Sequence, residues 1–134
     1  MGDVRLGVDC GSKYVGVAVS DRLGKTARNL LTFERGRQRN DASILAQLVA
    51  EHGASEVVVG MPYSMDGTVG PQARQVQTYV SGLKDQLDVP VTTWDERLTS
   101  VSAENLLGRR RKHLTHEVAA AIILQSYLDS LEKT

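Results

Sequence analysis

Residues Leu6–Asp21, LGVDCGSKYVGVAVSD, decide the fold. Two short Val-rich runs, Val4–Val8 and Val15–Ser20, flank Asp9-Cys10-Gly11-Ser12-Lys13 and are bounded by Gly and Ser, the pattern of a β-hairpin. Strand side chains alternate between faces. In the first run Val4, Leu6 and Val8 point one way, and Arg5, Gly7 and Asp9 the other. In the second, Val15, Val17 and Val19 oppose Gly16, Ala18 and Ser20. One face is apolar. The other carries small residues and ends in an acid, and its glycines let a backbone or a phosphate approach closely. Asp9 then reads in two ways. It is a turn residue bonding its own backbone, or a carboxylate rigidly held at a strand end, ready for a hard cation.

Downstream, Asp21–Lys25 is a turn and Ala27–Phe33 a third strand, followed by the charged loop Glu34–Asn40. Asp41 is the expected N-cap of a helix over about Ala42–His52, with Ile44, Leu45, Leu48 and Val49 on one face and Gly53 as its stop. Glu56–Gly60 is a short strand apolar enough to be covered on both sides. The Pro- and Gly-containing stretch Met61–Pro71 must be a loop. It sits after a strand's carboxyl end, where open α/β sheets build their sites, and Ser64, Asp66 and Gly67 in it are candidates to gate substrate. A helix over about Gln72–Leu87 and a strand Val89–Trp94 follow. Asp95-Glu96-Arg97 is thus a second acidic pair at a strand-to-loop boundary. Thr99 or Ser100 is expected to cap a helix over about Val101–Gly108, and Thr115 a largely buried helix over about His116–Lys133. The pattern predicts an α/β fold in one domain, residues 1–134. Its sheet is mixed and five-stranded, three antiparallel strands then two crossover strands, with helices on both faces.

Sixteen basic and sixteen acidic residues leave the chain without net charge, so any nucleic-acid footprint must be local. The only dense basic run is GRRRKH, Gly108–His113, read as a phosphate-contacting loop through Arg109, Arg110, Arg111 and Lys112. Lys13, Arg74 and Arg97 are further candidates for backbone phosphates, as charge-assisted donors. Thr99 and Ser100 are candidates at a helix N-terminus. The single cysteine, Cys10, excludes an intrachain disulfide and a Cys-rich zinc site, and reads as a small packed hydrophobe. No run reaches the roughly 18 apolar residues of a membrane span, and no signal peptide is expected. With six aromatic residues, extended base stacking is not expected to dominate binding.

Four segments, LGVDCGSKYVGVAVSD, VVVGMPYSMDGTVGPQA, WDERLTSVSAENLL and AAAIILQSYLD, together resemble the bacterial YqgF/RuvX-type family, named for Holliday-junction resolvases. The resemblance spans essentially the whole chain. It implies an RNase H-like fold and a cytoplasmic, metal-dependent nuclease tied to maturation of the 5′ end of small-subunit ribosomal RNA. The older resolvase role on branched DNA is the alternative. The family's first-strand Asp matches Asp9, and the Glu of its Asp-Glu-Arg-Leu-Thr motif matches Glu96. Its third acid, an Asp, falls on His116, with Glu117 beside it. This chain departs from the family there.

The departure bears on chemistry. Phosphodiester hydrolysis needs an activated water and relief of charge on the phosphate, and two divalent ions about 3.5–4 Å apart supply both. Carboxylates hold such ions because Mg²⁺ and Mn²⁺ prefer oxygen. Imidazole softens the site and favours Mn²⁺. Three readings follow. The first is an RNA nuclease, with junction DNA as the other substrate; a symmetric junction would call for a homodimer. The second is a non-catalytic RNA-binding module of ribosome assembly. The third, an ATP-binding fold of the actin and sugar-kinase type, is weakened because this chain has one domain where those folds need two.

Overall fold

A computed structural model describes residues 3–36, 38–99 and 115–132. The hairpin forms as expected: β1 (Arg5–Cys10) pairs antiparallel with β2 (Tyr14–Ser20), Leu6 opposite Val19 and Cys10 opposite Val15. β3 (Ala27–Glu34) continues the meander on β2, with a register shift at Val17/Ala18. α1 (Gln38–His52) then crosses to β4 (Glu56–Met61), which runs parallel to β1. α2 (Pro71–Gln86) crosses to β5 (Val91–Asp95), parallel to β4. A single 3-10 turn, Glu96–Leu98, follows β5, and α3 (His116–Glu132) closes the described chain. The sheet order is β3-β2-β1-β4-β5, the mixed five-stranded sheet the sequence predicts.

Strand alternation sorts the core into two layers. Leu6, Val8, Val15, Val17, Val57 and Val59 point to the side covered by α1 and α2, where they meet Leu45, Tyr79 and Leu83. Each such side chain, fully withdrawn from water, contributes about 1.5–3 kcal/mol. The opposite face is built of small residues, and α3 lies directly on it. Ala18 and Val58 pack there against Ala119, Ala120, Ile123, Leu124 and Leu128. A Cβ on Gly7 would meet Leu124 Cβ at 2.7 Å and the Ala120 carbonyl at 2.8 Å. The small-residue face foreseen in the sequence is therefore the seat of a helix backbone. α3 is less buried than its apolar run suggests, because Val118 and Leu131 remain exposed.

One local expectation fails. Asp41 is not the N-cap of α1, which begins at Gln38. Asp41 lies inside the first turn and is buried, its Oδ1 accepting the Gly36 N–H at 3.0 Å and its Oδ2 the Tyr79 hydroxyl at 2.9 Å. A buried carboxylate needs such partners, and Tyr79 is 38 residues away, beyond the reach of a local pattern. β5 likewise starts at Val91 rather than Val89, since Pro90 has no N–H to give a ladder. The helix expected over Val101–Gly108 lies outside the described residues. No helix among the described residues is long and apolar enough to cross a membrane.

Candidate active site

Asp9, near the carboxyl end of β1, points to the α3 face and is only 3 % exposed. His116 is the first residue of α3, and its Nδ1 stands 2.9 Å from Asp9 Oδ2, so that an Nδ1–H donates to the carboxylate. Among the described residues this is the hydrogen bond the Asp9 side chain makes; its Oδ1 accepts none of those observed. The contact exists because glycines admit the helix start. A Cβ on Gly16, which pairs with Asp9 across the hairpin, would sit 2.0 Å from the His116 carbonyl carbon and 2.5 Å from the Glu117 nitrogen. A Cβ on Gly11 would meet the His116 ring at 2.6 Å. Glu117 is partly buried beside it.

Glu96 opens the turn after β5 and is also buried, 5 % exposed. Its Oε2 lies 3.1 Å from the place a Gly60 Cβ would take. Gly60 follows Val59, the parallel partner of Val8, so it stands level with Asp9 on the neighbouring strand. Adjacent strands are about 4.8 Å apart. The two carboxylates thus approach the same small-residue face from β1 and from beyond β5, with Gly60 beneath Glu96. Among the described residues no three His, Cys, Asp or Glu side chains are gathered as ligands of one ion.

The remaining predicted residues divide. Arg97 is committed to Asp95 through Nε at 3.1 Å to each carboxylate oxygen and Nη2 at 2.7 Å to Oδ2. That bidentate pair holds the Asp95 carboxyl below its usual range and raises Arg97. Arg97 also reaches the Met65 carbonyl at 3.4 Å and lies 5.7 Å from the Tyr63 ring centroid, tying the Met61–Pro71 loop to the end of β5. In that loop Asp66 accepts both the backbone N–H and the hydroxyl of Thr68, a self-contained turn around Ser64, Asp66 and Gly67. The Thr99 hydroxyl donates to the Glu96 carbonyl at 2.7 Å and so closes the turn that carries Glu96. Lys13 and Arg74 are exposed, on the hairpin bend and in the first turn of α2. Ser100, Arg109, Arg110, Arg111 and Lys112 lie outside the described residues. Cys10 is packed as expected, its thiol pushed up to about 12 by burial.

Two residues beside the site are not singled out by the sequence. Tyr14, half exposed, sets its ring 6.0 Å from that of His116. Arg35 donates to the Gly11 carbonyl at 3.1 Å and lies over the Tyr79 ring, 4.7 Å from its centroid. The hairpin geometry sets Tyr14 against His116 and places Arg35 in the same cleft as His116.

With this geometry in place, the comparisons with known proteins are specific. The pattern of the RuvX family, described as Holliday junction resolvase, matches residues 3–130. A Desulforamulus reducens protein named "Putative pre-16S rRNA nuclease" is 43 % identical over 131 residues, covering 93 % of this chain and 96 % of its own. A Moorella thermoacetica protein of the same name is 43 % identical over 132 residues, covering 94 % of each chain. The fold is similar to that of T. thermophilus RuvC in complex with a Holliday junction substrate, with a TM-score of 0.62 over 97 % of this chain and 96 % of that one, at 16 % identity. Matched along its length by the family pattern and by these relatives, and built on an RNase H-like sheet, this chain belongs to the RuvX family of nucleases.

Proposed function

We propose that this nuclease cleaves RNA at the 5′ end of the 16S ribosomal RNA precursor, in the cytoplasm, using a divalent ion held by Asp9 and Glu96 with His116 and Glu117 at its side. The observation that carries the reading is the buried Asp9 carboxylate, with one oxygen on an imidazole and the other free of hydrogen bonds from the described residues. A buried carboxylate left that way is costly unless a cation or water meets it. The residues present fit a hard or borderline divalent ion, since two carboxylates and an imidazole are ligands for Mg²⁺ and Mn²⁺. They do not form a closed cage, which agrees with ions that complete their shell with water and substrate phosphate. Such an ion, when bound, lowers the pKa of water and offsets charge on the phosphate.

The chain's own residues do the rest. His116 holds Asp9 in one orientation. Gly60 and Gly16 keep bulk away from the carboxylates. Arg97 fixes the loop after β4 against β5, and the exposed Lys13 and Arg74 meet strand phosphates. The substrate reading is supported by the relatives' name, pre-16S rRNA nuclease. Resolution of a symmetric four-way junction would further require a dimer with two sites in register.

The test is cleavage of a labelled 5′-extended 16S precursor fragment and of a four-way DNA junction, in Mg²⁺ or Mn²⁺, with Asp9→Asn as control. The expected result is cleavage of the RNA that is stronger in Mn²⁺ and lost in Asp9→Asn. Preference for the junction would replace the RNA reading by resolution. Binding of RNA with no cleavage in either metal would leave a ribosome-assembly module whose His116 has displaced the chemistry.

A further inference from the structure

At the end of β1, lined by Cys10 next to Asp9 in the chain and by His116, lies a polar cleft of about 350 Å³. Gly11 and Ser12 of the hairpin bend, Arg35 after β3, Gln72 and Gln75 of α2, and His116 line it. It opens at the carboxyl end of β1, where open α/β sheets receive ligands. Among the described residues that line it, the cation Arg35 is held in advance. Arg35 is fixed by its bond to the Gly11 carbonyl and by the Tyr79 ring, and its own backbone N–H donates to the Lys13 carbonyl at 2.8 Å. Among the described residues no carboxylate pairs with it. A guanidinium carries five N–H donors, and the Gly11 carbonyl takes one of them. The facing wall favours an anion as well. α2 starts at the Gly70–Pro71 step with no side-chain cap and no acid in its first turn, so its N-terminal dipole is not offset locally. Ser12, Gln72 and Gln75 add neutral donors.

We propose that this cleft binds the phosphate next to the scissile one, with Arg35 as the residue that positions the strand. The proposal rests on the nuclease reading, because His116 is shared between the cleft and the Asp9 pair. A strand whose phosphate sits on Arg35 passes the imidazole and presents its next phosphodiester to Asp9. Arg35 acts on substrate position and not on the reacting atoms.

The experiment measures binding of a fluorescent single-stranded RNA to Asp9→Asn protein by anisotropy across a salt series, and KM against kcat in the active protein. Arg35→Gln is expected to weaken binding roughly tenfold, the worth of one charge-assisted contact. It should also flatten the salt slope by about 0.7, the share of one single-strand phosphate. Arg35→Lys should restore the slope. Because Arg35 also braces the hairpin, Gln75→Glu is the second variant. It puts a carboxylate in the cleft from an exposed helix position without removing the Arg35 brace on the Gly11 carbonyl, and by occupying or repelling the phosphate's place should raise KM with kcat nearly unchanged. Parent-like affinity and salt slope in both variants would overturn the proposal, as would a loss confined to an Arg35→Gln protein that melts early. If the parent binds junction DNA and not RNA, the substrate reading fails, and the same variants measured on DNA decide the cleft. If neither nucleic acid binds, both readings fall.

Discussion

Gly16→Ala should dislodge the start of α3 and with it the Asp9–His116 contact. The added Cβ would lie 2.0 Å from the His116 carbonyl carbon and 2.1 Å from its oxygen. Ordinary contact needs about 3.5 Å, so the two backbones must separate by about 1.5 Å. Both are regular structure: Gly16 is paired on both sides in the sheet, and His116 opens a 17-residue helix. Neither yields as a side-chain end does. Overpacking a core costs about 1–3 kcal/mol, and a backbone clash belongs at the upper end. For a chain of this length each kcal/mol lowers Tm by roughly 4 °C, so a fall of about 10 °C is expected. A 1.5 Å shift also carries His116 Nδ1 from 2.9 Å to beyond hydrogen-bond range of Asp9. The assay is thermal melting with His116 followed by NMR. Gly53→Ala is the comparison, because Gly53 has φ +64 and open space around it, and pays only for its backbone, about 1 kcal/mol. If Gly16→Ala melts no lower than Gly53→Ala and keeps the imidazole on Asp9, the small-residue face is not what seats the helix.

Other consequences are more local. The Cys10 thiol, buried and raised to about 12, should resist a thiol reagent at pH 8 in the folded protein and react fully in denaturant; rapid native labelling would contradict the packing. Tyr79→Phe takes away the hydroxyl that Asp41 Oδ2 accepts inside the core. Leaving that acceptor unmatched should cost about 1–3 kcal/mol in urea unfolding, and a change below about 0.5 kcal/mol would mean water reaches Asp41. Asp95 is held below the usual aspartate range, first by its hydrogen bonds from Arg97. A depressed carboxylate stabilises the fold above its unfolded pKa and loses that contribution as pH falls through the folded value. Asp95→Asn should therefore lessen the drop in Tm below about pH 4 and leave the acid limb shallower, by a small amount because the pair is partly solvated; an unchanged acid limb would show that the pair is idle.

The sheet was legible because its signals are local. Val15, Val17 and Val19 alternate with Gly16, Ala18 and Ser20 within seven residues, and the two all-apolar faces of Val57–Val59 announce a strand covered on both sides. The acid positions were legible for the same reason, each standing where a strand ends. What could not be read are the pairings that only the folded chain makes. Asp41 looks like a cap until Tyr79 takes its second oxygen. Arg97, a candidate for a strand phosphate, is also bound bidentately by Asp95, a geometry that only the turn after β5 makes. Arg35 has no motif at all, and gains meaning only because β3 delivers it to the hairpin bend, 24 residues from Gly11.

His116 is the position where the family pattern and the geometry bear on each other most directly. An aspartate there would bring a second carboxylate toward Asp9 from the first turn of α3, and two like charges side by side repel unless a cation lies between them. An imidazole removes that conflict. It donates to one oxygen of Asp9 and holds the helix start against the hairpin, leaving the other oxygen for an ion or water. His116→Asp should therefore exchange a hydrogen bond that forms without metal for a contact that depends on it. In EDTA the variant should melt below the parent. Added Mn²⁺ or Mg²⁺ should stabilise it by RT ln(1 + [L]/Kd), about 2.7 kcal/mol at a hundredfold excess over Kd, and so raise its Tm by more than it raises the parent's. Melting curves with and without each ion check this independently of cleavage. If the variant in EDTA matches the parent and gains nothing from either ion, then Asp9 and position 116 do not share a cation site, and the first residue of α3 does no more than start a helix.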